Sequence, residues 1–144
     1  MSTTQSEDPA ERVDHPRHYN QHPSNIECIE LIEHLPCNLS NAVKYIWRCG
    51  IKATETPIRD LQSARWYTER ESQREYLYDL ENEPPRKTDV IWRSLARKVI
   101  MADRDSTLAD YLEELLRGSF TEMVAAIDHA IKELDRPAKE GTEA

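Results

Sequence analysis

The segment Asn38–Cys49, with the sequence NLSNAVKYIWRC, decides the fold class of this chain. Its apolar side chains recur at positions 39, 42, 43, 46 and 47, which is the spacing of one face of an α-helix. Gly50 follows directly, at a position where many helices end in a left-handed residue. The segment therefore predicts an amphipathic helix that buries one face in a core.

Matching signals predict one helix before this segment and one after it. Ser24 and Glu27 have the spacing of a capping box, which opens a first helix. Thr56 and Pro57 are an N-cap followed by a first-turn proline, and the helix that they open runs to about residue 80.

Three further helices are predicted in the second half of the chain. One runs from Asp89 to about Met101, one is closed by Gly118, and one is opened by the second capping box of Ser119 and Glu122. The chain has only three glycines and no convincing strand. We therefore predict an all-α fold, a small bundle of five to six helices with an extended N-terminal arm.

Composition divides the 144 residues into five parts. The arm cannot be one continuous helix, because Pro16 and Pro23 interrupt it. The predicted parts are a disordered tail (1–14), a helical core with the arm and the candidate site (15–82), a linker (83–87), a C-terminal helical module (88–136) and a second disordered tail (137–144).

The net charge of −8 is distributed unevenly, and this narrows the class of ligand. Residues 1–35 carry a net charge of −5, residues 36–74 carry +3 and residues 75–144 carry −6. General binding to duplex DNA needs an extended basic surface, so we do not expect it. A small cationic region in an acidic protein favours a compact anionic ligand, and pairing of the same cations with acidic neighbours is an equal alternative.

The sequence also predicts the compartment. No apolar run approaches the roughly 18 residues that span a bilayer, and the N-terminus has no signal-peptide pattern. We expect no membrane contact and a cytoplasmic location. Three cysteines without a CxxC pair, Cys28, Cys37 and Cys49, are predicted to be buried free thiols.

The helix over residues 38–49 carries the strongest candidate for a binding site. Asn41, Lys44 and Arg48 follow at spacings of three and four, so they share the face opposite the apolar one. Tyr45 flanks this face, and Lys52 lies just beyond the helix. An amide and two cations in line suit phosphate oxygens, and the tyrosine suits stacking on a base or ribose. The alternative is an ordinary solvated face.

The arm and the acidic residues supply further candidates. His15 and His18 suit phosphate contact or general acid–base catalysis, whereas the two prolines disfavour the helix that a zinc site would need. Glu27 and Asp60 are candidate Mg²⁺ ligands, with helix capping and interaction with the helix dipole as the structural alternatives. No GxxxxGK[ST] motif is present, so side chains and helix N-termini would supply any phosphate contacts.

Several of these residues belong to a longer ordered pattern, with HPxHY and NxxKYxxR motifs. It consists of His15-Pro16-x-His18-Tyr19, Ile26-Glu27-Cys28-Ile29 with Ile32-Glu33, Asn38-Leu39-x-Asn41-Ala42-Val43-Lys44-Tyr45-Ile46-x-Arg48, and Asp60-Leu61-x-x-Ala64-x-Trp66-Tyr67-x-x-Arg70-Glu71. Over residues 13–71 the chain resembles a family of small bacteriophage proteins that is catalogued as a domain of unknown function. Non-P-loop deoxynucleoside monophosphate kinase activity is attributed to that family.

The resemblance implies a nucleotide kinase that uses ATP and Mg²⁺ in the cytoplasm of a host cell. It implies that seven residues line the nucleotide site, namely His15, His18, Tyr19, Asn41, Lys44, Arg48 and Trp66. Lys44 and Arg48 would neutralise the transferring phosphoryl group, and His15 or His18 would orient the attacking oxygen. Tyr19 or Trp66 would stack on the base, and Glu27 or Asp60 would hold Mg²⁺. The loop after Gly50 departs from the family pattern but retains Lys52.

Two other functions remain open. An all-α nucleoside triphosphate pyrophosphohydrolase needs several carboxylates facing one another, and only Glu27, Glu30 and Glu33 approach this, at a spacing that drifts around the helix. A non-catalytic protein would bind a nucleotide, a nucleotide-derived signal or a host protein during infection. Aromatic residues on more than one helical face also predict a homo-oligomer, unless the C-terminal helices cover them.

Overall fold

The computed structural model of the chain describes residues 22–49, 56–78 and 88–136. These residues form helices and no strand, which confirms the predicted all-α fold. The helices are α1 (Cys28–Ile32), α2 (Cys37–Arg48), α3 (Pro57–Tyr78), α4 (Thr88–Ala102), α5 (Thr107–Arg117) and α6 (Phe120–Leu134). The predicted arm before His22, both predicted tails, the predicted linker and Gly50 lie outside the described residues.

The apolar face that the sequence predicts for α2 is buried. Leu39, Ala42, Val43, Ile46 and Trp47 are each at most 6% exposed. Burial of one face along the whole helix is what makes a helix of only 12 residues stable, since isolated helices of this length are marginal in water.

The beginning of α1 differs from the prediction. The helix begins at Cys28 with Glu27 as its N-cap, and the reciprocal capping box joins Glu27 and Glu30 rather than Ser24 and Glu27. The physical reason is Asn25, whose φ of 65° is left-handed and prevents a right-handed helix from beginning at Ser24. The Ser24 side chain instead accepts the backbone N–H of Ile26 at 3.1 Å.

One contiguous core joins the two halves of the chain. Helix α3 packs along α2 on one side and against α6 on the other, α5 packs against α4 and α6, and α1 packs against α2 and α4. The most fully buried side chains come from α1, α2, α3, α4, α5 and α6 alike, for example Leu31, Val43, Leu61, Val99, Leu112 and Ile127. The C-terminal helices therefore share a core with the helices of the predicted site.

Polar contacts also join α3 to the C-terminal helices. The hydroxyls of Thr68 and Tyr111 are 2.7 Å apart in the interior, and burial raises the pKa of Tyr111. Closer to the surface, Arg65 of α3 donates to Asp128 of α6 at 2.8 Å. Together the two contacts hold the segment of α3 from Arg65 to Thr68 against α5 and α6.

The Arg65–Asp128 pair should contribute little to stability despite its short distance. Its side chains are 38% and 47% exposed, so water screens the attraction. We expect Asp128→Ala to lower the free energy of unfolding by less than about 1 kcal/mol in urea denaturation. The same loss in 1 M salt as in 0.1 M salt would contradict an electrostatic origin.

Two of the three tryptophans are in the core. Trp47 and Trp92 are 2% and 6% exposed, whereas Trp66 is 58% exposed. Burial of these two rings reduces the aromatic surface on which the prediction of a homo-oligomer depends, and that prediction stays a prediction. None of the helices in residues 22–49, 56–78 and 88–136 has the length and apolar character needed to cross a bilayer.

The three cysteines are free, but they are not all buried. Cys28 is buried, Cys49 is half-buried, and Cys37 is exposed at the beginning of α2, contrary to the prediction. Burial raises the pKa of Cys28 to about 12 and that of Cys49 to about 11. Neither of these two thiols is a thiolate near neutral pH, so neither is a candidate nucleophile.

A turn before α1 buries a histidine. The backbone N–H of Asn25 donates to the carbonyl of His22 at 3.0 Å, and the His22 ring packs against Trp47 with the ring centres 5.1 Å apart. His22 is 7% exposed. Burial lowers the pKa of His22 below its usual 6.5, and the negative charge of Asp103 opposes this shift.

The lowered pKa of His22 predicts a pH dependence of stability. The unfolded chain binds a proton near pH 6.5, and the folded chain binds it only at lower pH. The contribution of His22 is therefore fully present above pH 6.5 and is lost as the pH falls below 6.5. Urea denaturation measures the free energy of unfolding at pH 8 and at pH 5. Its fall between these two values should be smaller for His22→Asn than for the natural chain, because asparagine retains an acceptor but does not titrate. Parallel curves for the two proteins would refute this assignment.

Candidate functional site

The end of α2 and the first half of α3 bring together a group of cationic, acidic and aromatic side chains. We call this group the Arg48 cluster, and it consists of Tyr45, Arg48, Asp60, Trp66 and Tyr67. Here the C-terminal end of α2 contacts the N-terminal end of α3, where the Cys49 thiol donates to the carbonyl of Pro57 at 3.6 Å. The last turn of α2 and the first turn of α3 therefore face each other.

An ion pair lies at the inner edge of the Arg48 cluster. Arg48 Nε is 3.5 Å from Asp60 Oδ1, and the two side chains are 13% and 4% exposed. Asp60 occupies the first turn of α3, where the helix dipole stabilises its negative charge. Its field, after burial, is the second cause of the raised pKa of Cys49. The carboxylate of Asp60 therefore holds the guanidinium at the end of α2.

Aromatic rings continue the cluster towards solvent. The Arg48 guanidinium lies 5.6 Å from the centre of the Tyr45 ring, within the range of a cation–π contact. Tyr45 and Tyr67 are nearly parallel with centres 6.0 Å apart, and Trp66 meets Tyr67 edge-on at 5.0 Å. With Trp66 58% exposed, the cluster ends in an aromatic surface that is open to a ligand.

Four of the predicted site residues thus lie in one cluster, and sequence analysis missed a fifth member. Tyr45, Arg48, Asp60 and Trp66 were predicted as site residues, whereas Tyr67 was named only as part of the ordered sequence pattern. Helical periodicity identifies the face of a single helix, so it cannot indicate that Tyr67 stacks on Tyr45 of α2. The adjacency of Trp66 and Tyr67 in the sequence was the available signal.

The other predicted residues of α2 are placed differently. The Asn41 amide donates to the backbone carbonyl of Cys37 at 3.1 Å, one turn earlier in the same helix. Lys44 is half-buried, and its charge acts on Cys28 of α1, whose pKa it lowers against the larger effect of burial. Of the remaining candidates, His15, His18, Tyr19 and Lys52 lie outside the described residues.

The two candidate metal ligands have structural roles. The Glu27 side chain accepts a backbone N–H in the first turn of α1, and Asp60 faces Arg48. Within residues 22–49, 56–78 and 88–136, no three His, Cys, Asp or Glu side chains form a group that could hold a metal ion. Since Mg²⁺ usually takes only one or two carboxylates beside substrate phosphates, the assignment of Glu27 or Asp60 as its ligand stays a prediction.

An acidic cleft lies between α5 and α6. It has a volume of about 270 Å³, and its lining includes Asp110, Glu113, Glu114, Glu122 and His129. Burial, followed by the charge of Glu113, raises the pKa of Asp110. Four carboxyl groups in one cleft repel phosphate, so an anionic ligand is expected at the Arg48 cluster instead.

Comparison with known proteins gives one match. Residues 13–69, which are less than half of the 144-residue chain, match the model of a family described as a protein of unknown function (DUF3310). The matched segment contains α1, α2 and the first half of α3, and hence the whole Arg48 cluster. No curated protein and no solved structure matches the chain.

Proposed function

We propose that the Arg48 cluster binds a nucleotide, with the phosphate at its cationic end and the base on its aromatic surface. The observation that carries this proposal is the sequence of contacts from Asp60 through Arg48 and Tyr45 to Tyr67 and Trp66. It joins an oriented guanidinium to an exposed aromatic surface within one cluster. A ligand with an anionic group beside a flat ring matches this order of groups.

The charge and the rings have distinct roles in this proposal. Arg48 is held by Asp60 and Tyr45, so less conformational entropy is lost when its guanidinium binds phosphate. Lys44, one helical turn earlier, adds a second positive charge. Stacking of a base on Trp66 is independent of base identity, because every base has a flat face.

The specific activity that we propose is phosphorylation of a (deoxy)nucleoside monophosphate by ATP. An oxygen of the monophosphate attacks the γ-phosphorus of ATP, the bond from that phosphorus to the β–γ bridging oxygen breaks, and ADP leaves. Such transfer depends mainly on positioning and charge stabilisation, which Arg48 and Lys44 would supply. Magnesium enters as part of the ATP substrate. His15 or His18 would orient the attacking oxygen, as the resemblance to the phage family implies.

The assay for this activity is direct. We expect the full chain, incubated with Mg²⁺-ATP and each nucleoside monophosphate in turn, to form ADP and the matching diphosphate, resolved by anion-exchange chromatography. Formation of pyrophosphate from a triphosphate alone would indicate a pyrophosphohydrolase instead. No product together with no retained nucleotide would refute the proposal altogether.

Non-catalytic nucleotide binding is the second candidate. It is favoured by the Arg48–Asp60 pair, since a guanidinium already facing a carboxylate stabilises added charge less than one without such a neighbour. Equilibrium dialysis separates the two functions, because a binder retains monophosphate unchanged in the presence of ATP. Under either function we propose a phage-encoded protein that acts in the host cytoplasm as a homo-oligomer.

A further inference from the structure

Two neighbouring buried rings each present a nitrogen without a hydrogen-bond partner. Within the described residues, His22 Nε2 and Trp47 Nε1 have no partner, and the residues are 7% and 2% exposed. Buried polar groups are almost always hydrogen-bonded. Two unpartnered nitrogens on rings whose centres are only 5.1 Å apart therefore indicate a shared partner.

Both unpartnered nitrogens are hydrogen-bond donors. For His22 this follows from the contacts of its second ring nitrogen, Nδ1, and for Trp47 from the chemistry of indole. His22 Nδ1 accepts the backbone N–H of Ser24 at 3.0 Å and lies 2.8 Å from the Ser24 hydroxyl. A neutral imidazole that accepts at Nδ1 carries its proton on Nε2. An indole nitrogen only donates. The unpartnered groups are therefore two N–H donors, and the missing partner is an acceptor.

The local backbone holds this arrangement in place. The turn that begins at His22 is closed by the N–H of Asn25, which has a left-handed φ of 65° although it is not a glycine. The Ser24 hydroxyl accepts the next N–H, that of Ile26, and so orders the same turn. Asparagine adopts the left-handed region more readily than most other residues, so the turn keeps the His22 ring in place without strain.

We infer that His22 Nε2–H and Trp47 Nε1–H form a binding site for an acceptor oxygen of a small ligand. With hydrogen bonds of about 2.9 Å on each side, one oxygen bridges donors up to about 6 Å apart. The negative charge of Asp103 raises the pKa of His22, and the positive charge of Lys44 lowers that of Cys28 in α1, so charges of both signs lie near this site. The acceptor is therefore defined as an oxygen, supplied by an oxyanion or by a neutral carbonyl group. This site does not depend on the proposed nucleotide function.

The three indole N–H signals of the full ¹⁵N-labelled chain provide the test. Sodium phosphate, sodium acetate and acetamide are titrated separately at constant pH and ionic strength, with the signals assigned from Trp→Phe variants. We expect at least one probe to shift the Trp47 signal saturably and to leave the Trp92 signal unchanged. Phosphate or acetate would identify an oxyanion site, and acetamide a carbonyl site. If no probe moves the Trp47 signal, an ordered water is the partner and the inference is wrong.

A matched pair of variants makes the test sharper. Trp47→Phe removes the donor and retains an aromatic ring, and should weaken binding of the active probe about tenfold. Trp92→Phe makes the same change at another buried ring and should leave binding unchanged. Equal affinity for Trp47→Phe and the natural chain would overturn the assignment. The Trp66 signal reports the nucleotide site separately, so failure of either proposal can be told from failure of the other.

Discussion

Arg48→Ala should weaken nucleotide binding about thirtyfold or more. The guanidinium is 13% exposed and lies between a carboxylate and an aromatic ring, and truncation of such a group in a binding site costs about 2–5 kcal/mol. Each 1.4 kcal/mol changes the dissociation constant about tenfold. Isothermal titration of the full chain with a nucleoside monophosphate measures the change. Arg97→Ala, at an exposed arginine on α4, is the matched control and should bind normally.

The same substitution should also destabilise the fold, which must be separated from the loss of binding. Asp60 is 4% exposed, and removal of the cation that faces it costs about 3 kcal/mol by analogy with other broken buried pairs. The double variant Arg48→Ala with Asp60→Asn removes the charge as well, and should recover much of this stability. We expect it to recover none of the binding. Recovered binding in the double variant would show that Arg48 acts only through the fold.

Most of the fold follows from the sequence, because periodicity and caps are local properties. The predicted helix over residues 38–49 is found at Cys37–Arg48, and Gly118 ends α5 with a φ of 76°, as its position after the last apolar residue indicates. The error at α1 has a different origin. The Ser24–Glu27 spacing is correct for a capping box, but the turn that buries His22 determines the backbone there instead.

The candidate site was predictable only within each helix. Arg48 has no acidic partner in α2, and its partner Asp60 comes from α3, twelve residues later in the sequence. That contact depends on how two helices pack, which the pattern of either helix alone does not contain. For the same reason no pattern within one helix predicts the buried donor pair, which joins Trp47 of α2 to His22 in the turn before α1.

Packing between helices also changes the interpretation of Glu71, which belongs to the ordered sequence pattern over residues 13–71. Its side chain is fully buried, in spite of its charge. Arg74 donates to both of its oxygens, at 2.9 and 2.6 Å, and the Asn38 amide of α2 donates at 3.1 Å. Glu71 therefore joins the beginning of α2 to the second half of α3, which is a structural role.

Arg74→Ala should accordingly lower the free energy of unfolding by about 3 kcal/mol, because a fully buried carboxylate would lose its main counter-charge. Urea denaturation measures this loss, with Arg70→Ala as the matched control at an exposed arginine of the same helix. Combining Arg74→Ala with Glu71→Gln removes the charge and retains an acceptor for Asn38, so the double variant should be more stable than Arg74→Ala alone. An unchanged or lower stability of the double variant would mean that the guanidinium stabilises α3 by packing, and that the buried charge is not the cause of the loss.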